Sequence, residues 1–186
     1  LSLVGSEMCI RDRKYTNVPA VHIKGVEGEV RYDWQGKLQL ASNVSYQDAR
    51  DQQKYKNGGK PSATYNNRVP NRPWLFGSAE AYYTFRNVAL PESKLRLGCT
   101  YQWIHWYYLL WEAYGATEGK ARIPAQHICN ADITYSWKRG RYNIALECTN
   151  FLDKTAYDNY KLQKPGRAFF AKFRFCLLYT SPSPRD

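Results

Sequence analysis

Seven stretches of this chain place an apolar side chain at every second position, and no other feature limits its fold as tightly. From Leu38 the even positions read Leu38, Leu40, Ser42, Val44 and Tyr46, while the odd ones read Gln39, Ala41, Asn43, Ser45 and Gln47. Val26, Val30 and Tyr32 are split in the same way from Glu27, Glu29, Arg31 and Asp33. Leu75, Ala79, Ala81, Tyr83 and Phe85 oppose Ser78, Glu80, Thr84 and Arg86, and Leu95, Leu97, Cys99, Tyr101 and Trp103 oppose Lys94, Arg96, Thr100 and Gln102. Further along, Cys129, Ala131, Ile133, Tyr135 and Trp137 oppose Asn130, Asp132, Thr134 and Ser136. Tyr142, Ile144, Leu146 and Cys148 oppose Arg141, Asn143, Glu147 and Thr149, and Phe169, Ala171, Phe173 and Phe175 oppose Lys172 and Arg174. Successive side chains of a strand point to opposite faces, so each stretch predicts a strand with one greasy and one wet side.

Alternation alone also fits a soluble sheet with one wetted face. Two features favour a membrane barrel. The strands run about 9–12 residues, longer than the usual globular strand and near a tilted bilayer span. Short turns near Trp34–Gly36, Arg86–Ser93 and Lys138–Gly140 alternate with long connections at Arg50–Pro73, Tyr108–Gln126 and Leu152–Gly166. Outer-membrane barrels place short turns in the periplasm and long loops outside. Composition agrees, because 16 Tyr and 6 Trp coexist with a mean hydropathy of −0.65. Such barrels combine aromatic girdles with a polar lumen. The expected fold is all-β: an antiparallel up-and-down meander of about seven long strands, forming an open fragment of a transmembrane β-barrel. Single-chain bacterial barrels close with even strand numbers from eight upward, so the expectation includes strands that precede these. Alone, such a sheet would carry two unpaired edges in lipid and is expected to aggregate.

The two ends are expected to be foreign to this fold. One back-translation of Cys176–Asp186, read on its complementary strand, encodes Leu-Val-Gly-Ser-Glu-Met-Cys-Ile-Arg-Asp, which is Leu3–Asp12 in order. The DNA resembles a sequencing-library adapter. Residues 1–13 and 176–186 are therefore set apart as adapter-derived tails, leaving 14–175 as barrel strands. Their charges cancel, Glu7 and Asp12 against Arg11 and Arg13 and Asp186 against Arg185, so the net +11 resides in 14–175. Its Lys and Arg are dispersed without a block of five, which argues against a nucleic-acid partner and favours solvated faces, anionic lipid or an anionic ligand.

Other functions find little support. Cys99, Cys129 and Cys148 remain between the tails, an odd number without a CxxC spacing, and His22, His105 and His127 form no ligand pair. Neither a disulfide framework nor a metal centre is expected. No apolar run approaches the roughly 20 residues of a membrane helix. Barrel enzymes need a nucleophile, a base and an orienting group. Ser45, Ser78 and Ser136 are available, but no GxSxG elbow accompanies them. No catalytic residue is assigned. A passive porin and a soluble binding barrel remain the alternatives to a receptor.

The last strand carries the most specific local pattern. GRAFFAKFRF, Gly166–Phe175, ends on an aromatic with Phe169 and Phe173 at alternate positions behind it. It resembles the terminal strand that outer-membrane proteins present to the barrel-assembly machinery, with Phe169, Phe173 and Phe175 as the signal. The run TNFLDKTAYDNYKLQKPGRAFFAKFRF further resembles the final hairpin of TonB-dependent receptors, with Asn150, Phe151, Asp153, Tyr157, Tyr160, Pro165, Gly166 and Arg167 in the family's places. Phe151 stands where Leu is more usual. GVEGEVRYDWQGKLQLASNVSYQDAR and RVPNRPWLFGSAEAYYTF resemble earlier strand pairs of those barrels.

The resemblance implies a 22-stranded barrel with an N-terminal plug, in the outer membrane of a Gram-negative bacterium. It implies active uptake of a nutrient such as an iron–siderophore, cobalamin, haem or glycan, with no cofactor. Implied partners are outer-membrane lipid and lipopolysaccharide, the barrel-assembly machinery, the small-molecule nutrient, and TonB only through an upstream plug. Ligand capture would fall to the outside loops, because binding commonly sits on loops held by a rigid scaffold. Candidates are Tyr65, Asn66, Asn67 and Arg68, with Tyr55 and Lys56 before them, then Tyr114, Lys120 and Arg122, then Tyr157, Asp158 and Tyr160. Tyr offers rigid contact area and Lys or Arg attracts anions. Solvated loop residues or contacts to lipopolysaccharide phosphates are the other reading. Trp103, Trp106, Tyr107, Tyr108 and Trp111 are expected to form an interfacial aromatic belt, with stacking on a sugar or haem as the alternative. The cysteines are expected to serve as small hydrophobes.

Overall fold

The computed structural model describes residues 20–56, 58–114, 122–158 and 161–176. Seven long strands dominate it: β1 (Val21–Trp34), β2 (Leu38–Asp51), β3 (Leu75–Arg86), β4 (Lys94–Ile104), β7 (Gln126–Trp137), β8 (Tyr142–Thr149) and β9 (Ala168–Phe175). Two short strands, β5 (Tyr107–Tyr108) and β6 (Arg122–Ile123), pair with each other in the connection between β4 and β7. A 3-10 turn, Glu112–Tyr114, lies between them. The seven strands form one antiparallel sheet in the order β1-β2-β3-β4-β7-β8-β9. Among the described residues it does not close, since β1 and β9 each pair on one side only.

Register decides what each face presents. Tyr32 pairs with Leu40, Leu40 with Ala81, Ala81 with Cys99 and Cys99 with Ala131. The row continues from Ala131 to Cys148 and Phe169. Partners across a ladder share a face, so all seven apolar rows fall on one side of the sheet. The alternation found in the sequence is thus reproduced strand by strand. Among the described residues no second protein layer covers this face: Val26 is 72% exposed and Phe169 75%. From Leu75 to Phe85 the face is ten residue steps tall. That is about 34 Å of strand, or about 25 Å of bilayer at a tilt near 40°.

Local chemistry explains the short turns. Gln35 and Gly36 both have positive φ, 52° and 61°, which defines a type I′ hairpin turn that suits twisted strands. Lys37 N donates to Trp34 O at 2.8 Å, and Asp33 accepts the Gly36 N–H at 2.8 Å. In the turn after β3, Ser93 is buried and its hydroxyl faces the Val88 and Leu90 carbonyls, each at 2.6 Å. Asn87 Oδ1 accepts from Glu92 N there. The β7–β8 turn places Lys138, Arg139 and Gly140 at positive φ.

The opposite end is built differently. Of the six buried apolar residues among those described, Tyr107, Tyr108, Ile123 and Ala156 lie in or beside the long connections. The small dry core of this molecule therefore sits in its loops.

Candidate functional site: the loop cap

The first long connection, 52–74, is fastened to the top of β2. Pairing between β2 and β3 stops at Tyr46 and Leu75, which leaves the last residues of β2 without a strand partner on that side. Residues 66–69 fill the gap: Asn66 N donates to Asp51 O, Asp51 N to Asn67 O, and Val69 N to Ala49 O. Asp51, itself buried, accepts a 2.6 Å bond from the Thr64 hydroxyl and a 2.8 Å bond from Gln53 N. The Thr64 hydroxyl also lies 3.0 Å from that of Ser62. A carboxylate taken from water needs such partners, and here they fix the loop's course. This network went unseen in the sequence because its members are far apart and share no local pattern.

The other connections lock onto the first. Asn71 N donates to Tyr108 O at 2.7 Å, joining the first loop to the second. Tyr157 N donates to the Gln126 side chain at 2.9 Å, joining the third loop to the head of β7. Burial pushes the Tyr107 phenol above its ordinary pKa, and the Asp158 carboxylate of the third loop adds to the shift. The loops thus form one folded cap around Tyr107, Ile123 and Ala156.

The base of the third loop gives physical content to the Asn-Phe-x-Asp stretch. Asn150 is buried at positive φ, and its side chain donates to Lys154 O and accepts from Lys154 N. Asp153 accepts the Arg167 N–H at 3.0 Å, where β9 begins. A Cβ on Gly166 would lie 2.8 Å from that same carboxylate oxygen. Pro-Gly-Arg is therefore seated against Asp153, which sets the entry of the last strand.

The capture candidates divide into distinct groups. Tyr65 and Asn66 are exposed beside the end of β2, with Lys54 over the Tyr65 ring at 5.8 Å. Tyr55 and Lys56 are exposed in the same loop, and Asn67 is half-buried, its amide donating to Ala63 O. Arg68 bonds Asp48 at 3.0 Å and covers Trp74 at 4.8 Å. Arg122 stacks over Trp106 at 4.5 Å and Tyr108 at 5.4 Å. Tyr157 and Asp158 are half-buried in a turn closed by the Leu162 N–H bond to Asp158. Tyr114 lies in the 3-10 turn, and Lys120 and Tyr160 fall outside the described residues. The cap brings Arg122 beside the first loop through Tyr108 and Asn71, while Asn66 is held at the end of β2 by Asp51 and Arg50.

The expected aromatic belt is also divided. Trp103, His105 and Trp106 cluster with Trp74, the Trp74–His105 rings 4.6 Å apart edge to face. Tyr107, only 2% exposed, and Tyr108 instead turn into the cap. This corrects their place in the belt: they form β5, and β6 pairs with it across the loop. Trp111 is half-buried beside the 3-10 turn. Phe169, Phe173 and Phe175 stand exposed along the open edge strand β9. Cys99 and Cys129 lie 3.8 Å apart, sulfur to sulfur, on the apolar face, and the cysteines of the described residues are free.

An uncovered apolar face of membrane height, a polar face behind it, turns at one end and a folded cap at the other define the strands of an outer-membrane β-barrel. A family model described as TonB dependent receptor-like, beta-barrel, matches residues 4–151, and the chain belongs to that family. The match begins at residue 4 and ends at Phe151, ahead of the last strand. No curated protein matches the chain. The family consists of outer-membrane receptors whose partners are TonB and small-molecule nutrients in general.

Proposed function

We propose that these strands serve a receptor for active uptake of a nutrient, such as an iron–siderophore, cobalamin, haem or glycan, in a Gram-negative outer membrane. The observation that carries this reading is the loop cap. Three long connections fold together at one end, around their own buried residues Tyr107, Ile123 and Ala156. A loop layer with its own core suits selective capture. In this reading the exposed residues Tyr65 and Asn66, with Asn67, Arg68, Tyr114, Lys120, Arg122, Tyr157, Asp158 and Tyr160, meet the ligand. TonB acts through a plug upstream of these strands, and no catalytic residue is needed.

Two further assignments accompany this. Residues 14–175 are the barrel strands, flanked by adapter-derived tails at 1–13 and 176–186. Phe169, Phe173 and Phe175 are the signal read by the barrel-assembly machinery, because an edge strand with a regular apolar face suits strand addition. Uptake of candidate nutrients, compared in cells with and without TonB, tests the main reading. Accumulation should fall to the background of a receptor-less strain when TonB is absent. Unchanged uptake would make the barrel a passive pore.

A further inference from the structure

The polar face carries its charges in tiers. The ladder row nearest the short turns reads Arg86, Lys94, Ser136, Asn143 and Arg174 from β3 to β9, with no carboxylate. The next row adds Arg96 and Lys172. Asp132 and Glu147 enter only in the row beyond that. Arg96 lies over the Tyr82 ring at 3.9 Å, and Lys172 bonds Glu147. In the β7–β8 turn Arg139 bonds Glu92 at 2.9 Å, and Lys138 lies over the Tyr142 ring of the apolar face. Arg86 and Lys94 have neither a ring nor a carboxylate among the described residues.

Position makes these two cations unusual. They are direct partners in the β3–β4 ladder, and like charges directly opposite each other weaken a sheet. Both line a cavity of about 340 Å³, together with Glu92, Ser136 and Arg139. Glu92 is the one carboxylate there, and Arg139 already holds it. The cavity wall is fixed in place. Ser93, 1% exposed, ties the turn through the Val88 and Leu90 carbonyls, and Asn87 accepts the Glu92 N–H. Direct partners across a ladder stand about 4.5–5.5 Å apart at Cα, so the two oxygens of one carboxylate can reach both cations.

We propose that Arg86 and Lys94, with Arg139 beside them, bind a carboxylate group inside the barrel at its turn end. A guanidinium and an ammonium group together give a carboxylate charge-assisted hydrogen bonds to both oxygens. The anion also removes the repulsion between the two cations. Its carboxylate comes either on a free polycarboxylate that reaches this end of the barrel or on a side chain of protein lodged there. The inference rests on the polar face being turned away from lipid. It is independent of which nutrient the cap captures.

The test unfolds the full receptor chain in urea from phosphatidylcholine vesicles, titrated with propane-1,2,3-tricarboxylate against sodium chloride of equal ionic strength. With a free source, the tricarboxylate should raise the wild-type midpoint above its value in chloride. Lys94→Gln should then need about tenfold more tricarboxylate for the same rise, the worth of one charge-assisted hydrogen bond. With a lodged source, the wild type should not respond to the tricarboxylate, Lys94→Gln should lower the midpoint, and Lys94→Arg should restore it. In either case Lys138→Gln, which removes a cation from the apolar face of the same end, should behave as wild type. The proposal is overturned if the tricarboxylate does no more than chloride while Lys94→Gln leaves the midpoint alone or raises it. That rise is the relief expected of two cations with nothing between them. An equal response of Lys94→Gln and wild type to the tricarboxylate overturns it too. Arg86→Gln carries the same test if Lys94→Gln fails to fold.

Discussion

The sheet and its cap solve opposite problems with the same residue types. In the sheet, Val26, Val30, Leu146 and Phe173 stand uncovered. In the cap, Ile123 is wholly buried and Tyr107 nearly so. A soluble domain would do the reverse, hiding its strands and wetting its loops. The difference follows from the solvent. Hydrocarbon supplies the missing half of the sheet's packing, while the cap stands in water and must supply its own. The two regions should therefore answer differently to the same kind of substitution.

The largest effect is expected on the apolar face. Ile133 lies midway along its row, between Leu97 and Leu146, and is 47% exposed. Ile133→Arg should destabilise the receptor by about 2–4 kcal/mol, because it places a cation at the bilayer midplane. Thr134→Arg, one residue on and facing the other way, should cost no more than about 0.5 kcal/mol. Urea unfolding from phospholipid vesicles measures both. Equal effects would erase the distinction between a lipid face and a wet face.

A steric effect comes next. Gly98 pairs with Tyr82 and Asp132 on the polar face. A Cβ there would run into the Asp132 carboxylate and approach the Tyr82 ring to 2.8 Å. Arg96 covers that same ring at 3.9 Å, so the ring is not free to retreat. Gly98→Ala should cost about 1–3 kcal/mol in the same unfolding assay. A neutral result would show that the polar face has slack there.

In the cap, Asp51→Ala removes the acceptor shared by Thr64 and Gln53. A loss of about 1–2 kcal/mol is expected, confined to the loop. Hydrogen exchange should quicken for amides in 62–67 and leave β3 and β4 unchanged. Faster exchange throughout the sheet would mean that cap and sheet form one cooperative unit.

These regions also differ in how far the sequence disclosed them. The seven strands were legible because each apolar row runs for several alternations, and lipid rewards alternation on every strand alike. The short ladder of β5 and β6 has two residues a side, too few for any period to show. Tyr107 and Tyr108 are adjacent aromatics, which suggest a belt until they are seen to pair with β6 across the loop. Asp51, Ser62 and Thr64 join across a connection whose path no local pattern dictates. The charged end of the β2 row was more accessible than this. Asp48 and Arg50 end a row that, Ser42 apart, is apolar from Leu38 to Tyr46. Of the candidate site, the loops that carry it were legible from their length, whereas the stacking of Arg122 and the pairing of Arg68 required the fold.

The smallest predicted effect bears most directly on the face turned away from lipid. Lys172 Nζ approaches both carboxylate oxygens of Glu147 at 2.7 Å, across the pair of strands β8 and β9. Their side chains are 63% and 33% exposed. In a dry interior, removing one partner of such a pair would leave a stranded charge and cost about 3–5 kcal/mol. Facing water, the pair is screened and its removal should cost less than about 0.5 kcal/mol. Glu147→Gln separates the two cases, and raising the salt from 0.1 M to about 1 M should abolish even the small difference between variant and wild type, because the Debye length shrinks to about 3 Å. A large, salt-independent loss would mean that this face is packed against protein in the assembled receptor. The Glu147–Lys172 ladder would then be a contact surface for whatever fills the barrel, and the wet-lumen assignment would hold only for the strands on the far side of the sheet.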